Sequence, residues 1–245
     1  MIEVRNLSKS FNGHAVLRDV SIDIPEGETL AVIGRSGSGK TVFLKHLIGL
    51  LKPDEGHVFV DDEELGSLSY GDLRRVRHKF GVLFQGGALF DSMTAIENVA
   101  FPLRTFSDKT QAAQLERAQE CLAMVELPDA GSKKPNELSG GQKKRVALAR
   151  AIALEPKYIL YDEPTSGLDP ETSNTINELI IRLEHTVGAT SIVNTHDMHS
   201  VLAIADRVGF IHDGRMHWTG TIAELHACTD SALCDFVRAN EYQIG

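Results

Sequence analysis

An α/β fold is the class this sequence predicts, and three observations carry the prediction. Apolar runs of strand length recur along the chain, at Thr29–Ile33, His57–Val60, Gly81–Phe84, Tyr158–Tyr161 and Ser191–Val193. Between about Asp91 and Leu154 the pattern is helical instead, with Leu115, Ala118, Leu122 and Val125 spaced by three and four. Finally, Gly34, Gln85, Asp162 and His196 each fall at or just after the end of an apolar run. In an open α/β sheet, ligands bind beyond the carboxyl ends of the strands, so these four positions can converge.

The elements follow in order. Residues 2–30 hold the alternating segments Ile2–Arg5 and Val20–Ile24, broken by Asn12-Gly13 and Pro25-Glu26-Gly27, which suits antiparallel strands. The strand Thr29–Ile33 leads into Gly34–Thr41, and Val42–Ile48 then takes helical spacing. Pro53–Gly56 turns the chain into the strand His57–Val60. After the helical stretch, strands return at Tyr158 and Ser191. Val208–Ile211 and Met216–Thr219 flank His212-Asp213-Gly214-Arg215, whose Asp-Gly pair signals a hairpin. No internal repeat, low-complexity tract or long linker interrupts this order.

The chain has 245 residues, 42% of them apolar, enough to bury a core as one α/β domain or a domain with a subdomain. Its 34 acidic and 25 basic residues give a net charge of −9, which argues against a nucleic-acid partner. Lys143-Lys144-Arg145 reads as a solvated helix face or a structural patch. Cys121, Cys228 and Cys234 form no C-x-x-C pair, as expected of free thiols in a reducing cytoplasm. Met1–Arg5 lacks the basic and apolar regions of a signal peptide, and no apolar run approaches the ~20 residues that span a bilayer. A cytosolic chain that does not itself cross a membrane is expected.

Gly34-Arg35-Ser36-Gly37-Ser38-Gly39-Lys40-Thr41 fits G-x-x-x-x-G-K-[ST], the P-loop. A glycine-rich turn between strand and helix gathers backbone N–H groups on an anion, and the helix start adds partial positive charge. Lys40 then reaches the β/γ-phosphates of a nucleoside triphosphate and Thr41 ligates Mg²⁺. Tyr158–Tyr161 followed by Asp162-Glu163 has the form of a Walker B strand. Asp162 is the candidate Mg²⁺ ligand and Glu163 the candidate general base for the attacking water. In Leu138-Ser139-Gly140-Gly141-Gln142, Ser139 can cap the following helix, while Gly140 and Gly141 bare the backbone N–H groups of a second anion site.

That pentapeptide, running on through Lys143–Ala151, is the signature of the ATP-binding cassette (ABC) family, and the chain resembles that family over residues 2 to about 225. The resemblance implies a P-loop NTPase (RecA-like) core, an N-terminal antiparallel β subdomain and an inserted α-helical signature subdomain. The core is expected over about 1–90 and 155–225, the helical subdomain over 91–154, and a tail over 226–245. It further implies ATP bound by Phe11, Gly34, Arg35, Ser36, Gly37, Ser38, Gly39, Lys40, Thr41 and Val42. Mg²⁺ is expected on Thr41, Gln85 and Asp162. In the family the signature binds the ATP of a second subunit in a head-to-tail dimer, so Ser139, Gly140, Gly141 and Gln142 are expected to act in trans. Gln85 matches the Q-loop glutamine, Ser166–Asp169 the D-loop and Thr195-His196-Asp197 the switch region, with Glu163, His196 and Gln85 as the catalytic set. Phe11 matches the aromatic that stacks on adenine. Arg35, Gly167 and Phe11 stand where Pro, Ala and Tyr are commoner, and none removes a group needed for hydrolysis.

Within the family the chain resembles transporter ATPases, which implies a homodimer on the cytoplasmic face of the inner or plasma membrane, driving a separate integral membrane permease. Gln85–Phe90 and Asn98–Leu103 are similar to the Mla/Mkl-type ATPases, which serve phospholipid or toluene-tolerance transport with MCE-domain proteins. Lipid transport is therefore expected. The alternatives are an importer for another small solute or a non-transport ABC protein. A non-catalytic cassette would be expected to lose Glu163, the signature or His196, and all are present.

Overall fold

The computed structural model describes residues 1–241. In chain order the elements are β1 (Ile2–Phe11), β2 (His14–Ile24), β3 (Thr29–Ile33), α1 (Lys40–Leu47), β4 (Glu55–Val60), β5 (Glu63–Glu64), α2 (Tyr70–Arg77), β6 (Phe80–Leu83), α3 (Ala95–Phe106), α4 (Gln111–Met124), α5 (Gly140–Ile152), β7 (Tyr158–Asp162), α6 (Pro170–Val187), β8 (Thr190–Asn194), α7 (Met198–Ile204), β9 (Arg207–His212), β10 (Arg215–Thr221), α8 (Ile222–His226) and α9 (Ser231–Glu241). They fall into two compact units. One joins Met1–Arg77 to the chain from Thr190 onward, and the other is His78–Ala189.

The first unit contains the antiparallel sheet β2-β1-β4-β5. Asn12 and Gly13 both take positive φ (50° and 81°), as a two-residue hairpin turn between twisted strands demands. Ile2, Val4 and Leu7 of β1 and Leu17, Val20, Ile22 and Ile24 of β2 are buried on one face. Both strands run further than their alternation suggests. Asn6 sits at φ 50° and the β1–β2 register shifts between Val4 and Leu7, so the two-residue period is lost although pairing continues. The same unit holds the strand order β10-β9-β3-β8, with β3 parallel to both of its neighbours and all five of its residues buried. A strand covered on both faces reads as an unbroken apolar run, as Thr29–Ile33 does. Residues 226–245, expected to be a tail, include α9. Its Leu233 and Phe236 are buried with Ala31, Ile33, Val208 and Phe210.

The second unit pairs β6 with β7 in parallel and adds α3 to α6. Capping boxes start α3 at Thr94 and α5 at Ser139. Helices α3 to α5 fall within residues 91–154. The compact unit is wider, at 78–189, because α5 packs on β6 and β6 pairs with β7.

Candidate functional site

The P-loop residues lie where β3 gives way to α1. The first residue of α1 is Lys40, and Gly39 in front of it supplies no side-chain cap. The first-turn N–H groups of α1 are thus left to backbone or ligand. Gly34 is held so closely that a Cβ there would lie 2.5 Å from the Ile211 carbonyl oxygen and 2.7 Å from Ser38 Oγ. Ser38 Oγ is buried with no hydrogen-bond partner among the described residues. Lys40 is 7% exposed and folds its ammonium over the loop, donating to the Gly34 and Arg35 carbonyls at 2.7 and 3.2 Å. A cleft of about 600 Å³ opens in front, walled by Ala15, Val16, Arg18, Arg35–Ser38 and the hairpin residues Ile211–Gly214. An uncapped helix start, a buried hydroxyl without a protein partner, an ammonium and two guanidinium groups fit a polyphosphate. Thr41 is exposed and Val42 half-buried, next along α1. Phe11, at the end of β1, is 41% exposed, with Lys9 Nζ 5.6 Å from its ring centroid.

His196 opens on the same edge of the same unit. Strands β3 and β8 run parallel with Val32 opposite Asn194. The switch is pinned on both sides of the histidine. The Asp197 amide donates to Thr195 Oγ1 at 3.0 Å, and Asp197 caps α7 by accepting from the His199 amide (3.0 Å) and the Ser200 hydroxyl (2.6 Å). His196 itself is exposed.

Gln85, Asp162, Glu163 and the signature belong to the second unit. Asp162 ends β7 and is 7% exposed, whereas Gln85 lies exposed just past β6. Glu163 stands at φ 52°, a left-handed backbone that a non-glycine residue keeps only when its surroundings enforce it. The turn into the D-loop is closed by the Ser166 amide, which donates to the Glu163 carbonyl at 3.3 Å. Asp169 caps α6, accepting from the Thr172 hydroxyl (2.6 Å) and amide (2.9 Å), and these bonds hold its carboxyl below the usual range. In the signature, Ser139 Oγ accepts from the Gln142 amide at 3.2 Å and Gln142 Oε1 accepts from the Ser139 amide at 3.0 Å. Ser139 and Gly140 are exposed and Gly141 is buried, so the start of α5 presents nearly bare backbone at the surface.

The basic run after the signature is a structural patch and not a solvated face. Lys144 is 6% exposed and donates to the main-chain carbonyls of Gln85 and, at 3.0 Å, of Glu163. Burial lowers its pKa, while Glu163 and Asp162 act in the opposite sense. The signal was available in the sequence, because Gly141, Lys144, Leu148 and Ile152 recur at three and four along one buried stripe of α5. The cleft wall residues Val16, Arg18 and His212 also escaped sequence reasoning, since only the fold brings them to the P-loop.

Two exposed aromatic side chains flank Gln85 in the chain. Phe84 and Phe90 are 38% and 41% exposed, and Phe90 stands 4.7 Å from Phe101, centroid to centroid. Asn98, wholly buried in α3, fixes this loop by accepting from the Phe90 amide (2.8 Å) and donating to the Phe90 and Thr94 carbonyls (3.1 and 3.0 Å). No helix among the described residues is long and apolar enough to cross a membrane.

The chain is similar to known proteins in sequence and in fold. Residues 17–166 match the family described as ABC transporter. The chain is 42% identical over 210 residues to the mkl protein of Mycobacterium leprae (strain TN), described as a probable ribonucleotide transport ATP-binding protein. That match covers 86% of this chain and 60% of the relative, so the chain spans somewhat less than two thirds of the relative's length. It is 40% identical over 225 residues to the methionine import ATP-binding protein MetN of Legionella pneumophila (strain Lens), covering 92% of this chain and 66% of MetN. Among solved structures, it superposes on a dimeric ATP-binding cassette in a post-hydrolysis state bound to ADP and Pi. The TM-score is 0.84 and the identity 36%, covering 91% of this chain and 99% of that one.

Proposed function

The chain belongs to the ABC transporter family, and on that footing we propose that it is an ATPase subunit that works as a head-to-tail homodimer and powers a separate membrane permease. The observation that carries the reading is the P-loop cradle, where Ser38 Oγ, the uncapped start of α1 and the Lys40 ammonium surround a space suited to phosphate. ATP phosphates lie on Gly34–Val42, with adenine against Phe11. Thr41, Asp162 and Gln85 would hold Mg²⁺, which would supply charge neutralisation at the γ-phosphate. Glu163 accepts the proton of the attacking water, His196 contacts the γ-phosphate and Gln85 orients the water. Ser139–Gln142 complete the site of the partner subunit.

The segment carrying the exposed side chains Phe84 and Phe90, on either side of Gln85, is the surface that meets the permease, because exposed apolar groups beside polar ones mark interaction sites. For cargo we propose phospholipid, carried with an MCE-domain protein, on the similarity of Gln85–Phe90 and Asn98–Leu103 to the Mla/Mkl-type ATPases. A second reading, import of a small solute such as an amino acid, draws on the 40% identity to MetN. Both place the chain on the cytoplasmic face of the membrane.

Two experiments test these readings. Glu163→Gln should keep ATP binding and lose hydrolysis by roughly 10²-fold or more, as expected when a general base is removed. Full-rate turnover would sink the base assignment. The complex purified from native membranes in mild detergent should contain a multi-span permease, an MCE-domain protein and bound phospholipid detectable by native mass spectrometry. A soluble amino-acid-binding protein in its place would overturn the lipid cargo and leave the ATPase standing.

A further inference from the structure

Three of the four main-chain carbonyls from Gln85 to Ala88 are held by cationic side chains of one helix. Lys144 on α5 takes Gln85, and Arg150, farther along α5, donates from Nη1 to Ala88 and from Nη2 to Gly87, both at 2.7 Å. The Gly87 amide closes the turn on the Phe84 carbonyl at 2.7 Å. Lys144 also donates at 3.0 Å to the carbonyl of Glu163, whose left-handed backbone needs such enforcement. These bonds run to neutral carbonyls, so the ammonium bears much of its desolvation cost uncompensated by a directly bonded carboxylate. An apolar side chain would fill the same space more cheaply, which points to a role for the donor itself.

We propose that Lys144 is a positioning residue that fastens the Q-loop and the Glu163 backbone to the signature helix, so that the carboxylate of Glu163 is aimed by the same helix that presents Ser139–Gln142 to the partner subunit. The inference rests on the reading of Glu163 as general base. It assigns Lys144 no contact with nucleotide or water. Misplacing a reacting group by about 1 Å lowers rates on the order of 10²-fold, so loosening this anchor acts on turnover and spares binding.

The test is a double-mutant cycle on the purified full chain, with steady-state ATPase rates, ATP affinity and thermal unfolding measured for each variant. Lys144→Met keeps the unbranched stem and removes the donors. It should lower kcat by about tenfold or more and leave KM for ATP within about twofold. Lys144→Gln retains two N–H donors and should recover part of the loss. In the Glu163→Gln background, Lys144→Met should change the residual rate by less than about twofold, because it acts through Glu163. A wild-type kcat in Lys144→Met, or a loss that persists in full in the Glu163→Gln background, overturns the proposal. If Lys144→Met fails to fold, Lys144→Gln carries the same cycle, and its deficit must likewise vanish without Glu163. Full-rate hydrolysis by Glu163→Gln alone overturns the base assignment and this inference together. An inactive Glu163→Gln beside a fully active Lys144→Met overturns only the inference.

Discussion

The Thr195 amide donates to the Val32 carbonyl at 3.2 Å, which stitches the end of β8 to the end of β3. These strands are parallel, so their carboxyl ends coincide, and the loops that follow leave the same edge. Gly34 begins two residues beyond Val32 and His196 stands one residue beyond Thr195. Residues far apart in sequence therefore share an edge of one compact unit.

From that placement, His196→Ala should slow hydrolysis by about 10²-fold while ATP affinity stays near wild type, as for loss of a group that acts in the transition state. Lys40→Ala should instead weaken ATP binding itself, because it removes the ammonium that lies over the loop. Equilibrium titration with ATP alongside single-turnover hydrolysis separates the two. Equal losses of affinity in both variants would contradict the roles assigned.

The contrast between these motifs and their surroundings shows what was legible in the sequence. Gly34–Thr41, Asp162-Glu163 and Ser139–Gln142 were visible because backbone geometry and phosphate chemistry tie residue type to spacing within a few positions. Strand β1 was visible only as far as Arg5, since the irregularity at Asn6 breaks the two-residue period. Helix α2 was missed because Val76 is its only buried residue, leaving no apolar stripe to count. The reading of Lys144 stayed open between a solvated face and a structural patch for a related reason. Composition marks a lysine as exposed, and only the carbonyls of Gln85 and Glu163, brought near by tertiary folding, make its burial tolerable.

The trans action of the signature can be tested with mixed dimers. One dimer pairs a Lys40→Ala chain with a Ser139→Arg chain, so both lesions fall on one composite site and the other stays intact. The second places both lesions in one chain and pairs it with wild type, so each site is damaged. The first dimer should hydrolyse ATP measurably faster. Equal rates would mean that Ser139–Gln142 do not serve the neighbouring subunit.

Acid should destabilise the chain through His46. This imidazole is 1% exposed within α1, with Nδ1 2.7 Å from the Val42 carbonyl oxygen. Burial is the largest cause holding its pKa below 6.5, and Lys9 acts in the same direction, while the Val42 and Lys52 carbonyls and Asp54 oppose it. The unfolded chain therefore takes up this proton at a higher pH than the folded chain does. The stabilising contribution is fully present above pH 6.5 and is lost as pH falls from 6.5 toward the lowered folded value. Urea midpoints for wild type should thus drop more steeply between pH 7 and pH 5 than those of His46→Leu. Parallel pH profiles would show that His46 does not titrate differently on folding.

The last prediction concerns the segment expected to be a tail. Phe236 on α9 is 3% exposed, its ring 5.3 Å from that of Phe210 on β9. Both join a cluster that includes Ala31 and Ile33 of β3, the strand that delivers the P-loop. Deleting a buried aromatic side chain removes its transfer free energy and leaves a cavity, so Phe236→Ala should destabilise the fold by about 3–5 kcal/mol. Denaturant unfolding monitored by circular dichroism measures the loss. Because Phe236 supports β3 from behind and is not among the residues walling the cleft, ATP affinity of the folded fraction should remain close to wild type. A loss below about 0.5 kcal/mol, within the range of ordinary surface substitutions, would mean that α9 does not contribute to this core.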